Sequence, residues 1–258
     1  AATVAAQAKD DPAVVEALAH HFLVLGEHMG RPAEALAGRR YIEIALESAG
    51  NAPRVRAVWL HFLAIMLHAR GQNDDALAAE VEAVATWRRI VPAGHVYLID
   101  SLETQGNIEI ARGQLDRAGA LLGEVLAAKT AARGPDHPGV ADTLTNLGVL
   151  EAIRGNLPAA IAHWERAGAI ARAAGVEYFL SAMNIGQARF ELGRWRAAAE
   201  ELAIALTRAE RDAPGANRWV GSAATALGAT LMALGEIEHA RQLLDRAIDA
   251  ERQAGTPT

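Results

Sequence analysis

Residues 134–175 read GPDHPGVADTLTNLGVLEAIRGNLPAAIAHWERAGAIARAAG and decide the fold. Val140, Leu144, Leu147 and Leu150 recur at steps of three and four, as do Ile161, Trp164, Ala167, Ile170 and Ala171. That spacing gives each half one buried helical face. Gly155-Asn156 between the halves is a turn. Pro158 suits the first turn of the second helix, where its missing N–H has no partner to lose. The stretch is a helix–turn–helix unit.

The unit recurs. Turn glycines stand at Gly30, Gly71, Gly113, Gly155, Gly193 and Gly235, spaced 41, 42, 42, 38 and 42 residues apart. Five residues after each comes an alanine: Ala35, Ala76, Ala118, Ala160, Ala198 and Ala240. Seven before the last four turns stands another glycine: Gly106, Gly148, Gly186 and Gly228. A glycine inside a helix costs roughly 1 kcal/mol against alanine. Its return at one position implies that a neighbouring helix comes very close there. Units of this size cannot bury a face alone and are expected to stack.

Apolar-Gly in the first helix, Gly at the turn and Ala five later resemble the tetratricopeptide repeat (TPR). The long period and GPDHPGVADTLTNLG are similar to its kinesin-light-chain subtype. The resemblance implies an all-α solenoid of about six TPR-like repeats forming a superhelix with a concave groove. One repeat domain is expected over residues 1–258, with repeats near 12–50, 51–93, 94–136, 137–175, 176–215 and 216–255. Helix pairs are predicted at 12–29/33–48, 53–70/74–90, 96–112/115–133, 139–154/158–174, 177–192/195–211 and 217–234/237–253. Breakers at Pro92-Ala93-Gly94, Gly134-Pro135-Asp136 and Pro214-Gly215 separate repeats. The sequence departs from the pattern in the first two repeats, which lack the inner glycine, and in the third, with Gln105 at an apolar position and Glu109 where the family prefers an aromatic. Ala1–Lys9 reads as the tail of a preceding helix, and no initiator Met is present, so a piece of a longer polypeptide is expected.

Net charge −6 lacks the basic face that nucleic-acid binding requires. Cysteine is absent, which removes disulfides and thiol chemistry. No apolar run reaches the ~20 residues of a membrane span, and a soluble cytoplasmic protein is expected. Phosphate-loop, zinc-protease and nucleophile-elbow signatures are missing. The chain reads as a non-enzyme with no cofactor and no nucleic-acid or membrane partner.

His20, His21, His28, His61 and His68 cluster early. A metal would need three or four ligands converging at ~2.0–2.1 Å, which this spacing does not imply, and no metal site is assigned. A metal- or small-ligand-binding array stays open as an alternative. Trp164 and Trp195 match packed positions of the family, while Trp59, Trp87 and Trp219 are expected to be partly buried between repeats or to act as exposed anchors.

In a TPR array the second, sixth, ninth and thirteenth positions of each first helix line the groove. Carried over, these are Ala17, His21, Val24 and His28; Val58, Phe62, Ile65 and Ala69; and Asp100, Thr104, Asn107 and Ala111. The later repeats give Asp142, Asn146, Val149 and Ile153; Leu180, Asn184, Gln187 and Glu191; and Ser222, Ala226, Ala229 and Ala233. Asn146 and Asn184 match the asparagine with which TPR grooves hold a peptide backbone, since an amide both donates and accepts. Phe62 and Ile65 suit an apolar anchor. Asp100, Asp142 and Glu191, with no Lys or Arg in the groove, favour neutral or basic ligand side chains and disfavour a carboxylate clamp. A peptide or protein partner, or another domain of the same polypeptide, is expected. Similar arrays are appended to bacterial serine/threonine kinases; a scaffold for a protease-like or toxin effector is the alternative.

Overall fold

The structure, a computed structural model, describes residues 11–176, 179–212 and 217–254. The expectations for Ala1–Lys9 and Pro214-Gly215 lie outside these residues. Among the described residues run α1 (Asp11–Leu23), α2 (Pro32–Ala37), α3 (Arg39–Ser48), α4 (Pro53–Ala69), α5 (Asn73–Ile90), α6 (Val96–Ala111) and α7 (Leu115–Arg133). They continue with α8 (Pro138–Ile153), α9 (Leu157–Ala173), α10 (Phe179–Glu191), α11 (Trp195–Asp212), α12 (Asn217–Ala233) and α13 (Ile237–Ala254). The predicted pairs from repeat two onward match these bounds within about two residues. The chain forms two compact units, residues 1–132 and 133–258. Each is an all-α stack of helix–turn–helix repeats.

The turns explain the conserved geometry of the hairpins. All six turn glycines have positive φ, between 65° and 82°, which a side chain would strain. In five repeats the N–H after the glycine reaches the carbonyl five residues back, as in Asn156 N–H to Glu151 O at 2.8 Å. This is the Schellman closure of a helix C-terminus. The first repeat differs: Arg31 N–H reaches Leu25 O, six residues back, through a π-helical turn over Val24–His28. Its second helix is also interrupted at Gly38, giving α2 and α3 in place of the single helix predicted at 33–48.

The six alanines after the turns are all buried, none more than 2% exposed. Each inner glycine faces the bulky residue sixteen positions later. A Cβ on Gly106, Gly148, Gly186 or Gly228 would lie within 3.0 Å of Leu122, Trp164, Leu202 or Leu244. The glycine costs about 1 kcal/mol of helix propensity, and burying the opposing Leu or Trp returns about 1.5–3 kcal/mol. At Gly148 the space also lets the Trp164 indole donate to Thr145 O at 3.1 Å.

Candidate functional site

The first helices α4 and α6 in the N-terminal unit, and α8, α10 and α12 in the C-terminal unit, carry the predicted groove positions. Nearly all the described ones are open or half-open. Phe62 and Ile65 are half-buried against the N-terminal core, and Asp100 and Asn107 on α6 are half-buried too. Asp142, Gln187 and Glu191 are exposed, and Asn146 and Asn184 are half-exposed. Val58 departs from the expectation: it is buried, because the first turns of α4 pack on α1.

The asparagines divide by place. Asn51 accepts from Arg56 at 3.4 Å, Asn73 accepts from the His68 ring at 2.8 Å, and Asn156 donates to Glu151 at 2.9 Å. Among the described residues, the groove amides Asn107, Asn146, Asn184 and Gln187 have no intramolecular hydrogen-bond partner for their side chains, and of the glutamines outside the groove Gln72, Gln105 and Gln114 share this. Their donors and acceptors face solvent unspent. Phe62 lies between imidazoles, edge-on to His20 at 5.1 Å and 5.6 Å from His61.

Three of the early histidines are engaged within the fold. His20 Nδ1 bonds Glu16 O at 2.7 Å, His61 Nδ1 shares a hydrogen bond with Glu80 at 3.0 Å, and His68 donates to Asn73. The His28 side chain lies outside the described set. No group of three or more His, Asp or Glu side chains able to hold a metal occurs among the described residues.

Glu80 is the feature that sequence reasoning missed. It is fully buried on α5, with the His61 ring and the Ser101 hydroxyl against it. Burial pushes its carboxyl above the usual range, and His61 and Ser101 pull it back. The cluster holds a hydroxyl, an imidazole and an acid, but Ser101 and Glu80 both meet His61 through Nδ1, at 3.4 and 3.0 Å. A proton relay needs them on opposite ring nitrogens, so the cluster ties α4, α5 and α6 together. The signal was present in the sequence: Glu80 lies sixteen residues after Ala64, at the offset that elsewhere pairs glycine with Leu or Trp.

Two further placements bear on surfaces. Glu109 is buried and held by Arg112 at 2.9 Å, which explains an acid at an aromatic position. Trp195 is 43% exposed, contrary to its expected core place, at the first residue of α11. Trp59, Trp87 and Trp164 are buried, and Trp219 packs edge-on to Phe179 at 5.3 Å.

Two tetratricopeptide-repeat profiles match the chain, one over residues 97–173 and the other over 56–97 and 220–253. The chain belongs to the tetratricopeptide-repeat family. TPR arrays are non-catalytic protein-interaction scaffolds, and this chain is one. No curated protein matches its sequence. Among solved structures it is similar to the nearly identical TPR-like repeats of a kinesin light chain from P. anserina, at TM-score 0.64 and 20% identity, over 80% of this chain and 99% of that one. It is also similar to BtubC (BKLC) from P. vanneervenii, at TM-score 0.58 and 18% identity, over 99% and 87% of the two chains. The apo form of RapI aligns at TM-score 0.63 and 11% identity, over 91% and 98%. At these identities the likeness is one of fold. No helix among the described residues is long and apolar enough to cross a membrane.

Proposed function

We propose that the first-helix faces of this TPR scaffold hold an extended segment of a partner protein, or of the chain's own parent polypeptide, chiefly through amide side chains. The carrying observation is that the first-helix asparagines Asn107, Asn146 and Asn184 are unspent, with Gln187 on the same face as Asn184, while the asparagines Asn51, Asn73 and Asn156 are tied within the fold. An amide can donate to a peptide carbonyl and accept from its N–H, whatever the ligand's side chains. In the N-terminal unit Phe62 and Ile65 supply an apolar anchor, where a desolvated side chain contributes more than a rim charge. Asp142 and Glu191 in the C-terminal unit, with no Lys or Arg at the groove positions, select neutral or basic ligand side chains.

The setting we propose is the partner-binding tail of a bacterial signalling protein such as a serine/threonine kinase. Support comes from the kinesin-light-chain-like texture of the repeats. The test is a pull-down from extract of the source cell, using the wild-type chain beside Asn146→Ala/Asn184→Ala. A partner retained by the wild type and depleted on the double variant supports the reading. A partner held equally by both contradicts it.

A further inference from the structure

The interrupted second helix of repeat one opens a site on the other side of α4. In later repeats the second helix packs along the first helix of the next, as α5 does on α6, α9 on α10 and α11 on α12. The α3 helix leans on α1. Between α3, α4 and α5 lies a cleft of 610 Å³, within the roughly 300–1,000 Å³ of ligand-sized pockets. Its floor is Leu46, Trp59, Leu60, Leu63 and Leu67. At about 100° per residue, Leu60, Leu63 and Leu67 lie on roughly the opposite side of α4 from Phe62 and Ile65.

The rim is acidic. Glu43, Glu47, Asp75 and Glu82 line it together with Arg39 and Arg56. Both guanidinium groups are already engaged, Arg39 with Glu43 at 2.6 Å and Arg56 with Glu82 at 2.7 Å. Glu47 has only Arg40, at 3.7 Å, and Asp75 pairs with no other described residue. An apolar floor under surplus negative charge excludes acidic ligands and favours a cation beside a hydrophobic group.

We propose that this cleft is a second docking site, taking a short partner segment in which a leucine- or phenylalanine-sized side chain is flanked by lysine or arginine. The apolar side chain enters the floor between α3 and α5, and the flanking cation settles against Asp75 and Glu47. The site is independent of the amide-bearing faces.

Three fluorescein-labelled peptides test it by anisotropy with the full chain: a Leu-Phe core flanked by arginines, the same core flanked by glutamates, and an Ala-Ala core flanked by arginines. The first should bind at least tenfold more tightly than either of the others. Ala78→Trp, which fills the cleft from an exposed position on α5, should abolish that binding. Asp75→Arg, confined to an exposed side chain, should weaken it at least fivefold and gives a second reading if Ala78→Trp loosens the fold. Asn146→Ala/Asn184→Ala should leave it unchanged, so this site and the amide faces fail separately. No binding of the first peptide, equal binding of the glutamate-flanked one, or indifference to Asp75→Arg would each overturn the proposal.

Discussion

Repeats two and four solve the same packing position in opposite ways. In repeat four, Gly148 makes room for Trp164, whose ring is buried and whose N–H bonds Thr145 O. In repeat two the corresponding pair is Ala64 and Glu80, with the buried carboxylate held by His61. One hairpin gains stability from hydrocarbon; the other buries an acid whose charged form burial opposes and whose place its neighbours hold. A buried ion pair is seldom more stable than well-packed apolar groups. What it adds is a set of directional bonds, and here these join both helices of repeat two to the first helix of repeat three. The repeat tolerates either solution because the backbone geometry is set by the turn and the alanine, not by this position.

The largest effect is expected where the contact is tightest. Gly148→Ala would bring a methyl to 2.3 Å from the Trp164 indole nitrogen, displacing the ring and its hydrogen bond. Unfolding free energy should fall by about 3 kcal/mol, measured by chemical denaturation. A loss below about 0.5 kcal/mol would mean that the ring has an alternative seat. Ala160→Leu, at the fully buried crossing of the same hairpin, should cost about 1–3 kcal/mol.

A double-variant cycle then sharpens the comparison. If repeat two obeys the rule of the later repeats, Glu80→Leu clashes with the Ala64 methyl and Ala64→Gly relieves it. The expected coupling is favourable, on the order of 1 kcal/mol. Strict additivity would show that the two positions do not meet in repeat two as they do in repeat four.

The smallest stability effect is a slope with pH. With its carboxyl raised in the folded state, Glu80 keeps a proton that the unfolded chain has released. Its contribution is therefore fully present below the unfolded carboxylate range and declines as pH rises through the raised value. Wild type should lose stability relative to Glu80→Gln as pH rises above the ordinary carboxylate range. A difference that stays flat as pH rises, or that moves in favour of wild type, would contradict the assignment.

The hairpins were legible because glycine and alanine at fixed offsets report backbone geometry directly, and only one backbone path satisfies them. The inner glycines predicted a close approach, and the side chains of Leu122, Trp164, Leu202 and Leu244 supply it. The break at Gly38 was not legible, since a lone glycine in a helical pattern reads as a tolerated cost. The burial of Glu80 was marked only by its offset from Ala64: apart from that, a single acid on a helix looks like any solvated surface until its neighbours are known. Exposure at Trp195 escaped for the same reason. The amide positions came from the repeat register, and only the structure shows that their hydrogen-bonding capacity is unspent.

The central claim is that this capacity is used on a partner. Calorimetric titration of a captured partner segment into wild type and into Asn146→Ala/Asn184→Ala tests it most directly. The double variant should bind at least tenfold more weakly, about 1.4 kcal/mol, with its melting temperature unchanged because half-exposed amides support no core. Unchanged affinity in the double variant, together with loss on a substitution at the opposite helix face, would contradict the account.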